Sequence, residues 1–113
     1  MVKFSIFLRK RADINQTDFV DYHKTQHAPL FTSLPEVKQY VHKYVQSHAV
    51  PVALPGFPDT YYNGITELWF DDVASIGKVF GSTQYLAIVR PDEEKFLALN
   101  ECGFLITTEN HVM

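Results

Sequence analysis

The chain has 113 residues, ordinary for one domain and short for two, and its 46% apolar and 20% charged content separates it from disordered tails. A formal net charge of −3 argues against nucleic acid as the main partner, and no apolar run approaches the roughly 18 residues of a membrane span. The single Cys102 excludes an internal disulfide framework and fits a reducing compartment, with the cytoplasm as the default location.

Residues 2–9 alternate Val2, Phe4, Ile6 and Leu8 with Lys3, Ser5, Phe7 and Arg9, the period of two expected of a strand. Its charges, Arg9, Lys10 and Arg11, follow the apolar part, the wrong order for a secretory signal. A helix start comes next. Asn15 is suited to cap it, Asp18 falls where the helix dipole favours an acid, and Ile14 and Phe19 have the spacing of a hydrophobic staple. One face continues through Phe19, Tyr22, His23, Gln26, His27 and Leu30. Pro29 cannot donate to the carbonyl of Thr25, so a kink or restart is expected there, and Pro35 is expected to end the segment.

Residues 36–48 alternate Val37, Gln39, Val41, Lys43 and Val45 against Lys38, Tyr40, His42, Tyr44 and Gln46, which predicts one long strand. Residues 49–62 carry three prolines among apolar side chains and predict an ordered loop, a lid or dimer arm. A third strand spans 63–70, with Ile65, Glu67 and Trp69 on one face. Asp71 or Asp72 caps a helix bearing Val73, Ile76, Val79 and Phe80. Ser82 starts a further helical piece that Pro91 interrupts, Asp92 opens a last turn, and residues 102–109 close with a strand in which Cys102 is expected to be a small buried hydrophobe.

The order βαββαβ predicts an α+β, ferredoxin-like domain over residues 1–113, a four-stranded antiparallel sheet with both helices on one face. The second and third strands are apolar or aromatic on both sides, so the uncovered face needs a partner. A second copy of the sheet is the simplest one, giving a homodimer through sheet faces.

Several residues can carry chemistry. His27 lies on the inward stripe beside the Pro29 break, where a freed carbonyl would orient its ring, and an imidazole is a usable acid or base near neutral pH. His23 and His27 have the spacing of a metal clamp, but Lys24 stands where a metalloprotease carries glutamate, so no metal is expected. Tyr40, His42 and Tyr44 share one face of the expected second strand, while Glu67 and Trp69 share one face of the third. If the two faces coincide, they form a pocket that grips a flat ring. Alternatively they meet the dimer partner, with Glu67 paired to a base across the interface.

The segments Phe19-x-x-Tyr22-x-x-x-x-His27-Ala28-Pro29-Leu30, Leu34-Pro35, Tyr40-Val41 and Gly64-Ile65-x-Glu67-Leu68-Trp69-Phe70 resemble the EthD family of dimeric α+β barrel proteins. The resemblance implies two sheets facing each other across a dimer and a pocket between sheet and helices. It also implies cofactor-free lyase, isomerase or oxygenase chemistry on a small apolar aromatic, polyketide or lactone-like compound. His27 is the position carried over as acid/base; Glu67 joins it as a catalytic candidate whose role stays open. Phe19, Tyr22, Tyr40, His42, Tyr44 and Trp69 are the candidate substrate contacts. The alternative is a non-catalytic binder of a small apolar metabolite or haem. RNA binding on the open sheet is disfavoured, because the third strand lacks the basic and aromatic stacking pattern of an RNA-recognition sheet.

Overall fold

A computed structural model describes all of residues 1–113. The elements run β1 (Val2–Leu8), α1 (Gln16–Tyr22), a π-helical turn His23–His27, α2 (Ala28–Thr32), α3 (Pro35–Tyr40), β2 (Lys43–His48) and β3 (Gly64–Phe70). Then follow α4 (Val73–Phe80), a second π-helical turn Tyr85–Val89, α5 (Arg90–Glu93), a short 3-10 turn Leu99–Glu101 and β4 (Gly103–Thr107). The strands form one antiparallel sheet in the order β2-β3-β1-β4, the ferredoxin-like arrangement.

Capping begins both helical layers where the sequence places it. The Asn15 side chain accepts from the Asp18 N–H at 2.7 Å, and Asp72 accepts from both the N–H and the hydroxyl of Ser75. The two prolines then meet the same local solution. Ahead of Pro29, the N–H of Ala28 donates to the carbonyl of His23; ahead of Pro91, that of Arg90 donates to the carbonyl of Tyr85. Each is a bond to the fifth residue back, which widens the turn so that the proline ring clears the backbone behind it. Pro91 therefore does not interrupt its helix. It sits in the first turn of α5.

Residues 36–48 are not one strand. Pro35 opens α3, whose Val37 is buried, and extended pairing begins only at Lys43. Val37, Tyr40 and Val41 have helical spacing as well as alternation, and a proline favours the first helical turn, so the helix wins locally. At the other end of the β2–β3 pair, Gly64 admits no side chain, since a Cβ there would lie 2.8 Å from the Ser47 carbonyl.

The helices cover the sheet face made by Phe4, Leu68 and Phe70. Around Leu68 and Phe70 gather Phe31, Leu34, Val37, Ile76, Val79, Tyr85 and Val89, and a second cluster joins Leu8, Phe19, Phe96 and Leu97. The opposite face carries Phe7, Val45, Ile65, Glu67 and Trp69 and has no helix over it. No helix is long and apolar enough to cross a membrane.

Asn15→Ala removes one capping acceptor while touching no core residue. Urea unfolding is expected to show a loss of about 1 kcal/mol in stability with an unchanged denaturant slope.

Candidate active site

A cavity of about 300 Å³ lies between the covered sheet face and the helices. Phe4, Ile6, Leu8, Thr66 and Leu68 form its sheet wall, and Phe31, Phe80, Phe96 and Leu97 most of the rest. Six further polar side chains, His23, His27, Tyr44, Tyr85, Arg90 and Glu93, join Thr66 on this largely apolar wall. Large apolar walls with few convergent polar groups are the usual build of a small-molecule site.

His27 is held by Asp92. Its Nδ1 lies 3.0 Å from Asp92 Oδ2, and both side chains are more than nine-tenths buried. A carboxylate only accepts, so the shared proton resides on Nδ1 and Nε2 is left basic. Nε2 has no protein hydrogen bond, and the ring forms part of the cavity wall. Asp92 is itself fixed: the Tyr22 hydroxyl donates to its Oδ1, and Lys95 Nζ stands 3.9 Å away. Burial, and then the carboxylate it serves, push the Tyr22 phenol up to about 12. The orienting group is thus a carboxylate from α5, and the expected freed helix carbonyl is not what holds the ring.

The second polar cluster is Glu93 with Tyr85 and Arg90. Glu93 Oε1 accepts from the Tyr85 hydroxyl at 2.7 Å and from Arg90 Nε at 3.1 Å. Burial raises the Glu93 carboxyl above its ordinary range, opposed by these donors. Arg90 also lies over the Tyr85 ring, 5.5 Å from its centroid, and half of its side chain reaches solvent.

His23 occupies the third polar position. Its ring is 1% exposed, with Nδ1 2.9 Å from His48 Nε2 and Nε2 3.4 Å from Thr66 Oγ1. Burial, with smaller contributions from neighbouring His27 and His48, lowers its pKa to about 3, so the ring is neutral near pH 7. His23 and His27 have different partners, and nowhere do three metal-ligating side chains converge.

Of the residues singled out in the sequence, the structure brings His27 and Tyr44 to the cavity wall. Tyr22 stands one step behind, on Asp92, and Phe19 packs fully buried against His23 and Phe96. The other four lie elsewhere. Glu67 and Trp69 are on the uncovered sheet face, where Glu67 Oε2 meets Lys3 Nζ of its own sheet at 2.9 Å and the indole N–H donates to Glu109. Tyr40 ends α3 with Lys78 over its ring, and His42, in the connection to β2, pairs with Asp71 at an exposed edge. Their expected shared face rested on the strand that proved to be a helix. No residue of the 49–62 loop lines the cavity; Val50, Val52, Leu54 and Phe57 are exposed.

Asp92, Glu93, Arg90 and Tyr85 were missed in the sequence. A signal was present: Val89-Arg90-Pro91 repeats the helical proline of His27-Ala28-Pro29, and three acids, Asp92, Glu93 and Glu94, follow it directly, after the apolar run 86–89.

His23 also sets a pH signature. Its folded-state pKa lies below the unfolded value near 6.5, so its stabilisation is complete above that value and is lost as pH falls toward 3. His23→Gln is expected to flatten the stability profile between pH 6 and 4 by up to one proton's worth, about 1.4 kcal/mol per pH unit, in urea unfolding at several pH values.

No curated protein matches this chain. Among solved structures, an EthD (ethyl tert-butyl ether D) family protein from Bacillus halodurans C-125 superposes with a TM-score of 0.70 at 19% identity, covering 97% of this chain and 99% of that one. A dimeric protein of ferredoxin-like fold from Bacteroides fragilis NCTC 9343 gives 0.65 at 13% identity, covering 96% and 95%. A DABB family protein of ferredoxin-like fold from Mesorhizobium loti MAFF303099 gives 0.60 at 13%, covering 97% of each chain. At these identities the structures establish the fold alone. The EthD domain model matches residues 11–100, most of the chain and both helical layers around the cavity. The chain belongs to the EthD family.

Proposed function

We propose that the protein is a cofactor-independent acid–base enzyme of lyase, isomerase or oxygenase type. Its substrate is a small, largely apolar aromatic, polyketide or lactone-like compound held between sheet and helices. The observation that carries the proposal is the His27–Asp92 pair: a basic Nε2 on the wall of an apolar cavity, its ring fixed by a buried carboxylate.

The chemistry follows from the arrangement. A carbon or hydroxyl acid conjugated to a carbonyl loses its proton to Nε2, and the imidazolium that forms is stabilised by Asp92 behind it. Negative charge moves to the carbonyl oxygen. Arg90, half exposed and paired with Glu93, supplies positive charge at the mouth of the same cavity. Glu93, whose carboxyl is raised by burial and lowered by Tyr85 and Arg90, is the second carboxyl group on the cavity wall. Phe4, Phe31, Phe80 and Phe96 grip the apolar body and keep water out.

The uncovered sheet face suits a second copy. Phe7, Val45, Ile65 and Trp69 form an apolar centre flanked by the Lys3–Glu67 pair, and the Bacteroides fragilis protein of the same fold is a dimer. Glu67 and Trp69 then serve the interface. The lone Cys102, with its thiol pushed up by burial, fits residence in the reducing cytoplasm.

Native mass spectrometry of the protein purified from its own cells is expected to show a dimer carrying an organic adduct whose mass identifies the substrate or product class. Turnover of that compound is expected to fall at least a thousandfold in His27→Gln and about a hundredfold or more in Asp92→Asn, with circular dichroism unchanged. A ligand returned chemically unchanged by the wild-type protein, with affinity indifferent to His27→Gln, would establish the non-catalytic binding protein instead.

A further inference from the structure

His27 Nε2, on the wall of an apolar cavity, exchanges protons through the polar groups that reach that cavity. On the Asp92 side the exit is closed, because Tyr22 and His27 occupy both oxygens of the carboxylate. On the sheet side a different set of groups is in contact. Thr66 and His23 both line the cavity. His23 bridges the Thr66 hydroxyl, at 3.4 Å from its Nε2, and His48, at 2.9 Å from its Nδ1. His48 ends β2, is only half-buried, and has no protein partner on its own Nδ1.

We propose that Thr66, His23 and His48 form a proton path between the cavity and bulk water, serving the acid–base chemistry assigned above. Imidazole suits the task because it accepts at one nitrogen while releasing at the other. The Thr66 hydroxyl takes a proton from the cavity and gives its own to His23 Nε2. His23 releases its Nδ1 proton to His48 Nε2, and His48 gives its Nδ1 proton to water. Only O–H and N–H bonds form and break, one proton is moved, and no oxidant or reductant takes part. The return transfer restores the tautomers.

The surroundings favour passage over storage. Phe19 stacks on His23 at 5.8 Å and Phe96 lies at 5.6 Å, so water cannot reach the ring directly. The neighbouring charges oppose an imidazolium as well: His27 is stacked beside His23, and Lys24 acts on His48. A ring kept neutral relays by releasing the proton at one nitrogen as it accepts at the other.

The test is nuclear magnetic resonance of protein labelled with ¹⁵N and ¹³C in histidine, with two rates read. One is exchange of the His23 ring proton with water; the other is the protonation rate of His27, from relaxation dispersion near its titration midpoint. His48→Gln keeps a hydrogen bond to His23 but relays no proton, and is expected to slow both rates at least tenfold. Thr66→Val is expected to slow the His27 rate by a similar factor and leave the His23 rate unchanged. The amide spectrum of each variant reports that the fold persists. Either rate unchanged in His48→Gln, or the His27 rate unchanged in Thr66→Val, overturns the path. Neither rate involves a substrate, so such a result leaves the role of His27 to the turnover of His27→Gln.

Discussion

A proline inside a helix has to be accommodated by the turn behind it, and both helical layers of this protein are organised by that constraint. The widened turns His23–His27 and Tyr85–Val89 each close one residue before a proline. The first brings two histidines against the sheet, and the second is followed at once by Arg90, Asp92 and Glu93. Because the two turns occupy equivalent places in the two halves of the fold, their polar side chains meet in one cavity. Burying Asp92 there is tolerable only because Tyr22 and His27 donate to it and Lys95 stands nearby. The same contacts that compensate the carboxylate also hold the His27 ring still.

Much of the frame was legible in the sequence because it depends on local chemistry. Alternation over residues 2–9, the Asn15 cap and the alternation of 63–70 each involve a few neighbouring residues, and each appears in the structure. The segment 36–48 failed for the opposite reason. Its apolar residues satisfy both periods, and the choice was made by Pro35 and by packing of Val37 into a core that the sequence does not display.

Of the polar groups on the candidate site's wall, His27 and Tyr44 are among the residues that the sequence singles out as site candidates. His27 is recognisable from its stripe and its proline, whereas Asp92, 65 residues further on, is linked to it only by the fold. Glu67 shows the limit of strand periodicity. A period of two identifies two faces and does not say which one meets the helices; Thr66 and Leu68, not Glu67 and Trp69, took the covered side. The sheet thereby separates its tasks, with the cavity on one face and an apolar surface, pinned by the Lys3–Glu67 pair, on the other.

The base of the 49–62 loop is clamped several times over. The Ala49 N–H donates to the Asn63 carbonyl, the Asn63 N–H to that of Leu8, and the Gln16 amide to the carbonyls of both Ala49 and Asn63. The segment 50–60 beyond this clamp is exposed throughout and contributes no residue to the cavity wall. Lengthening such an excursion costs only loop-closure entropy, about 0.6 kcal/mol for each doubling. The tip around Gly56 is therefore a natural splice point, where an epitope, a fluorophore-bearing peptide or an entire folded module can be grafted while the cavity keeps its shape.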